Sequence, residues 1–238
     1  MKHAYLAAGV ALSALMASAA GAATISISTF DINEFNTRTS GGVVEDFESY
    51  SGGTWNNANV TRVGTFSTMG GSGSGSTCDA LSGRPCTTLA IQNQNSVGAI
   101  NGQGNLVPMN GTKSLNSNDT LGVFWNVFTT PGSLFSGVVF GLRDAADQNQ
   151  RTFKVTTDDG TSRTLTALTS GNRKLIAIDF GAYMASATIE MMTSRNDAFT
   201  IDGATVMPAP VPLPAAGLLL VGGLGALGAL RARRQKEA

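Results

Sequence analysis

The chain has 238 residues, of which sixteen are basic and sixteen acidic, so it is formally neutral at pH 7. Charged residues make up only 13% of it and it holds 29 glycines; with no basic stripe, it lacks the electrostatic footprint of a nucleic-acid binder. Its one histidine is His3, which excludes Ser-His-Asp triads, Cys-His dyads and His-ligated metals from everything downstream.

The first residues read as a secretory signal peptide over 1–23. Lys2 and His3 give a positive start, an apolar run follows from Ala4 to Met16, and small residues fill Ala17 to Ala23. Small side chains at the −1 and −3 positions place cleavage after Ala22 or Ala23. The expected consequence is export.

Residues 24–207 are one domain's worth of chain. Between 24 and 210 there are eleven Lys/Arg and fifteen Asp/Glu, a balance near −4. Thr, Ser, Asn and Gly dominate, and β-branched Thr suits strands. Thr24–Ile32 opens with alternation, Ile25 and Ile27 against Ser26 and Ser28. Val43–Tyr50 and Val60–Thr68 are the next expected strands. In the polar loop between them, Trp55 is either a packing anchor or a ring for stacking on a sugar, with Tyr50 close by.

A Gly/Ser stretch over 69–76 leads to Cys78 and Cys86, the only cysteines. In an oxidising compartment they are expected to close a small disulfide loop. Residues 92–120 are rich in Asn, Gln and Gly and read as long loops, with one short strand near Leu106–Pro108. Leu121–Phe128 and Leu134–Leu142 are apolar on both faces, as central strands are. Arg151–Thr157 and Thr161–Thr169 flank Asp159-Gly160, a hairpin turn signal. Arg173–Phe180, Ser186–Thr193 and Ala198–Val206 complete ten to twelve strands. The fold class expected is all-β: an antiparallel β-sandwich, jelly-roll-like.

Few residues in this domain carry chemistry. If first and last strands lie side by side, Glu45 or Asp46 comes near Asp202, and calcium would suit such carboxylates in strand-joining loops. Asp144 to Asn149 is a second acidic loop without the spacing of an Asp-x-Asp-x-Asp-Gly calcium loop. Paired carboxylates alone can hydrolyse a glycan, but eleven Asp in the chain make chance neighbours common. The expectation is a non-catalytic protein that requires no cofactor.

The C-terminus begins with Pro208, Pro210, Pro212 and Pro214, which refuse a helix. Val211 to Leu230 gives twenty mostly apolar residues, enough for a thin bilayer. Arg231, Arg233, Arg234 and Lys236 belong on the cytoplasmic side by the positive-inside rule. The order Val211-Pro212-Leu213-Pro214-Ala215, then a Gly/Leu/Ala span over about 213–230, then Arg-x-Arg-Arg resembles the PEP-CTERM sorting tail in its VPLPA variant. The resemblance covers about the last twenty-five residues. It implies processing by an exosortase of a Gram-negative-type bacterium and delivery to the cell surface or exopolysaccharide matrix. Val211 to Ala215 would be the motif read, and Arg231, Arg233 and Arg234 would fix orientation. The domain resembles, more loosely, the β-sandwiches often placed before such tails, through Val44 to Glu48 and Asp197 to Gly203. The expected role is structural, in the envelope or matrix; a carbohydrate-binding module using Trp55 and Tyr50 is the second reading, and a glycoside hydrolase the third. Exosortase, signal peptidase and extracellular polysaccharide are the implied partners.

Overall fold

In a computed structural model of the protein, the described residues are 21–70, 88–93, 102–118, 120–129, 133–147, 151–193 and 197–209. They form two antiparallel sheets around a shared apolar core, an all-β sandwich with one short helix. In chain order the elements are β1 (Thr24–Thr29), α1 (Ile32–Arg38), β2 (Val43–Glu45), β3 (Gly53–Thr54), β4 (Val60–Thr61), β5 (Gly64–Thr68), β6 (Ala90–Asn93) and β7 (Lys113–Asn116). They continue with β8 (Gly122–Val127), β9 (Phe135–Arg143), β10 (Thr152–Thr157), β11 (Ser162–Thr166), β12 (Arg173–Met184), β13 (Ala187–Thr193) and β14 (Thr200–Pro208). One sheet has eight strands in the order β1-β12-β9-β14-β7-β6-β3, with β2 also paired to β14. The other has six, β11-β10-β13-β8-β5-β4.

The core forms because both sheets turn their large apolar side chains inward. Trp125 of β8 stacks on Phe66 of β5, ring centres 5.1 Å apart, and meets Phe140 of the opposite sheet edge-on at 6.0 Å. Its indole N–H donates to the Val63 carbonyl at 3.0 Å, so the buried ring carries no unsatisfied donor. Phe153 and Phe199 meet edge-on at 5.0 Å. Burying rings of this size contributes about 1.5–3 kcal/mol each, and several together outweigh the short, polar strand edges.

A second, smaller cluster lies on the outer face of the larger sheet, where Phe35 of α1 and Leu106 and Val107 cover Val139 and Leu175. Helix α1 is a departure from the expected strand through Ile32. Its cause is local: Asp31 caps the helix by accepting from the amides of Asn33 and Glu34, both at 2.9 Å. Glu34 in the first turn and Arg38 in the last suit the helix dipole and pair with each other at 2.9 Å.

Other expected strands are shorter or absent. Val43–Tyr50 is strand only to Glu45, because the Glu45 carboxylate accepts the Phe47 amide at 2.9 Å and Phe47 takes a left-handed backbone, φ 59°. Val60–Thr68 splits into β4 and β5 around a turn in which Thr61 Oγ1 donates to the Gly64 carbonyl at 2.8 Å. Leu106–Pro108 is not a strand; the nearby ladder is β6–β7, which the polar Asn/Gln composition concealed. The Asp159-Gly160 hairpin stands as expected, with Thr156 opposite Ser162. Cys78, Cys86, the first twenty residues and the tail from Pro210 lie outside the described residues. Among the described residues no helix is long and apolar enough to cross a membrane.

Candidate functional site

The first strand, β1, pairs with β12 and does not meet the last; the second does. β2 pairs with β14, and Glu45 lies opposite Ala204, two residues from Asp202. Each of these carboxylates is hydrogen-bonded to the backbone. Asp202 is fully buried; its Oδ2 accepts from the amides of Leu106 at 2.6 Å and Val107 at 2.7 Å, and its Oδ1 from Gly203 at 2.7 Å. Glu45 accepts from Phe47 and, at 3.5 Å, from Arg62. Asp46 accepts from the Glu48 amide at 3.1 Å, and Glu48 in turn accepts from Thr112 and Lys113, both at 2.8 Å. These acids act as loop clamps. Burial pushes the Asp202 and Glu45 carboxyls above their ordinary range. Among the described residues, no group of three or more His, Cys, Asp or Glu is disposed to hold a metal ion.

Trp55 is the packing anchor of its two expected roles. It is only 3% exposed, and its indole N–H donates to the Phe66 carbonyl at 2.8 Å. Phe47, Tyr50 and Phe66 all meet it edge-on. Tyr50 is half-buried over Trp55, ring centres 5.0 Å apart. The Trp55 ring offers no free face to a sugar. The local sequence left both roles open because Gly52, Gly53, Asn56 and Asn57 make a loop-like setting, while β3 beside them pairs with β6.

A second acidic group sits where β9 ends and β14 begins. Asp144, with a left-handed φ of 62°, accepts from the Gly171 amide at 2.6 Å and from Ser170 Oγ at 3.4 Å. Asp197 faces Arg151 at 3.4 Å, and its Oδ2 is buried without a hydrogen-bond partner. Burial pushes both carboxyls up to about 7, and for Asp197 the nearby Asp147 adds to it. Arg143 Nε donates to the Gly102 carbonyl at 2.5 Å and ties this corner to the 102–108 segment. These contacts join loops to one another.

Among the described residues, an open groove of about 290 Å³ lies on the outer face of the larger sheet, beside the C-terminal end of α1. The register explains its floor. Thr24, Asp179, Gly137 and Met207 follow one another across β1, β12, β9 and β14, and Ser26, Ala177 and Val139 form the next row. Gly137, Ala177 and Ser26 are the small residues in these rows, and Arg38 of α1 also lines the hollow. A Cβ on Gly137 would collide with the Ile178 carbonyl oxygen, so that gap is set by the sheet itself. Asp179 is the single carboxylate among the lining residues, which leaves a two-carboxylate hydrolysis unassembled there. Hydroxyls from Thr24 and Ser26, one acid and one guanidinium suit hydrogen bonding to a polyol. Further along β12, Met184 packs against the core, and its neighbour Tyr183 stands 59% exposed on the opposite side. Of these residues only Ser26 was marked in the sequence, by the alternation of β1, and not as part of a site.

No protein-family model matches the chain, and no curated protein matches it. Among solved structures, it is similar to the CBM22-1-GH10 modules of an endo-1,4-β-D-xylanase from Clostridium thermocellum, complexed with xylohexaose. That likeness has a TM-score of 0.28 and 14% identity over 48% of this chain and 24% of the other. It is also similar to an exo-β-1,3-galactanase from Phanerochaete chrysosporium with galactose, at a TM-score of 0.21 and 13% identity over 60% of this chain and 29% of that one. The chain thus spans a quarter to a third of the length of these structures, and likenesses this distant leave the chain without an assigned family.

Proposed function

We propose that this is a non-catalytic protein of the bacterial envelope or extracellular matrix, exported through its N-terminal signal and sorted by an exosortase through its C-terminal tail. The observation that carries the reading is the sequence at the two ends set against the extent of the sheets. The first strand starts at Thr24 and the last ends at Pro208. The leader-like residues precede that span, and Val211 to Ala215 with the Gly/Leu/Ala run follow it. The sandwich is then the cargo, a jelly-roll-like body whose carboxylates are spent on holding its own loops. Intact mass of the native protein from envelope and medium fractions tests this. Loss of both ends is the expected result, and Pro212→Ala with Pro214→Ala should leave the tail attached. A native mass that retains residues 211–238, or normal trimming of that variant, would overturn the sorting claim.

A second reading is favoured by the groove: retention of extracellular polysaccharide on the outer face of the larger sheet. Thr24, Ser26, Asp179 and Arg38 would take the hydroxyls, and the exposed Tyr183 would supply the ring that Trp55 does not. Pull-down on the producing organism's own exopolysaccharide should weaken at least tenfold in Tyr183→Ala and Arg38→Ala together, and be unmoved by Trp55→Phe. Equal retention in all three proteins would rule this surface out.

A further inference from the structure

The residue at the boundary of the expected leader has a defined place in the fold. Ala23 is 6% exposed and packs in the main core. Its backbone N–H donates to Asp159 Oδ2 at 2.7 Å. Asp159 is itself aimed: Oδ1 accepts from Thr157 Oγ1 at 2.6 Å and from the Thr161 amide at 2.9 Å, and Oδ2 also accepts from Thr161 Oγ1 at 3.2 Å. The carboxylate sits in the β10–β11 turn, at one edge of the six-stranded sheet, whereas Ala23 leads into β1, the edge strand of the eight-stranded one. The contact ties the outermost strand of one sheet to the outermost hairpin of the other. The two residues before it differ. Gly21 and Ala22 are exposed, and one long hydrogen bond, Gly21 N–H to the Gly181 carbonyl at 3.3 Å, holds them.

We propose that signal peptidase hydrolyses the Ala22–Ala23 bond, and that the freed α-ammonium of Ala23 forms an ion pair with Asp159 in the mature protein. Water adds across the peptide bond, Ala22 leaves with the new carboxylate, and the Ala23 amine takes a proton. The assignment rests on the export reading and sharpens it. Ala20 and Ala22 supply the small −3 and −1 side chains that the peptidase requires. Cleavage one residue later would discard a buried side chain and the bond to Asp159; cleavage after Ala22 keeps both. It also converts an amide donor into a cation, so the existing hydrogen bond to the carboxylate becomes an ion pair.

The exported full-length protein tests both halves. N-terminal sequencing and intact mass should show a chain starting at Ala23. A start at Thr24 or at Gly21 overturns the assignment while leaving export intact; a chain still starting at Met1 overturns the assignment and the export reading together. The α-amino pKa, followed by NMR, should lie above the ordinary 7.7–8.0 or so, fall toward that range in about 1 M salt, and return to it in Asp159→Asn. The salt arm uses the native chain and reads the pair even where the variant folds poorly. An ordinary, salt-independent value in the native chain would overturn the ion pair.

Discussion

Trp55 and Phe66 are joined twice, by rings meeting edge-on with centres 6.5 Å apart and by the indole N–H donating to the Phe66 carbonyl at 2.8 Å. The ring that looked like a loop residue therefore closes one end of the core. Trp55→Phe should cost about 1–3 kcal/mol, from lost volume and an unsatisfied buried carbonyl. Trp55→Ala should cost about 3–5 kcal/mol. Urea unfolding measures both; a loss below about 0.5 kcal/mol in Trp55→Ala would contradict the burial.

Asp202 holds a segment 96 residues earlier in the chain through the amides of Leu106 and Val107. Asp202→Ala leaves both amides and that of Gly203 buried without an acceptor, a loss of about 3 kcal/mol or more. Asp202→Asn keeps one oxygen and should lose about half as much. Hydrogen exchange should show the 106–107 amides opening first in the Ala variant, ahead of those in β9.

Acid should stabilise this domain over part of the pH range. Burial lifts the folded pKa of Asp144 and Asp197 to about 7 from an ordinary value near 3.8, and lifts Asp202 and Glu45 in the same direction. A carboxyl with a raised folded pKa binds its proton more tightly when folded. Folding is then favoured as pH falls from above 7 toward 4, and the strain of burying the charged form is complete above 7. The expected gain between pH 8 and pH 5 is on the order of 2 kcal/mol. Asp159 runs the other way: hydrogen bonds from Thr157, Ala23 and Thr161 hold its carboxyl below the usual range. Its contribution is present above pH 4 and fades only below it. Thermal unfolding across that series should show Tm rising toward pH 5, and Asp144→Asn with Asp197→Asn should flatten the rise. A Tm that falls over the same interval in the native protein would contradict the assignment.

Gly64 starts β5 with φ 120°, and a Cβ there would collide with the carbonyl oxygen of Asn126 on β8. Gly64→Ala must either twist the strand or push β8 away. A loss of about 2–4 kcal/mol is expected, read by denaturant midpoint. Gly160→Ala is the comparison, since a Cβ there meets nothing within 4 Å and its φ of 85° costs only backbone strain. It should lose about 1 kcal/mol.

The parts legible in the sequence were those governed by neighbours in the chain. Alternation placed β1, apolar runs placed β8 and β9, and Asp159-Gly160 placed the β10–β11 hairpin. The parts missed are governed by distant partners. β6 and β7 read as loop because their Gln92 and Asn116 are polar, yet the Asn116 amide donates to Gln92 at 2.9 Å and to Gln103 at 2.5 Å in the buried interior. The two roles open to Trp55 could not be separated in the sequence because its burial comes from Phe47 and Phe66, on other elements. The groove was invisible because its lining comes from α1 and from four strands brought into register. Helix α1 was legible in principle: Asp31 followed by Glu34 is a capping pattern, overridden by the Ile–Ser alternation just before it.

β14 is the last strand of the domain, and it occupies the middle of the larger sheet, between β9 and β7 and against β2. The first strand must likewise wait for a partner, since Ser26 bonds to Ala177 across 151 residues of chain. The order in which the chain is made thus runs against the order in which the sheet closes. Until residues 200–208 arrive, β9 and β7 each present an unpaired ladder, the kind of edge that captures stray strands. A chain cut short before Thr200 would leave the larger sheet as two halves with open edges.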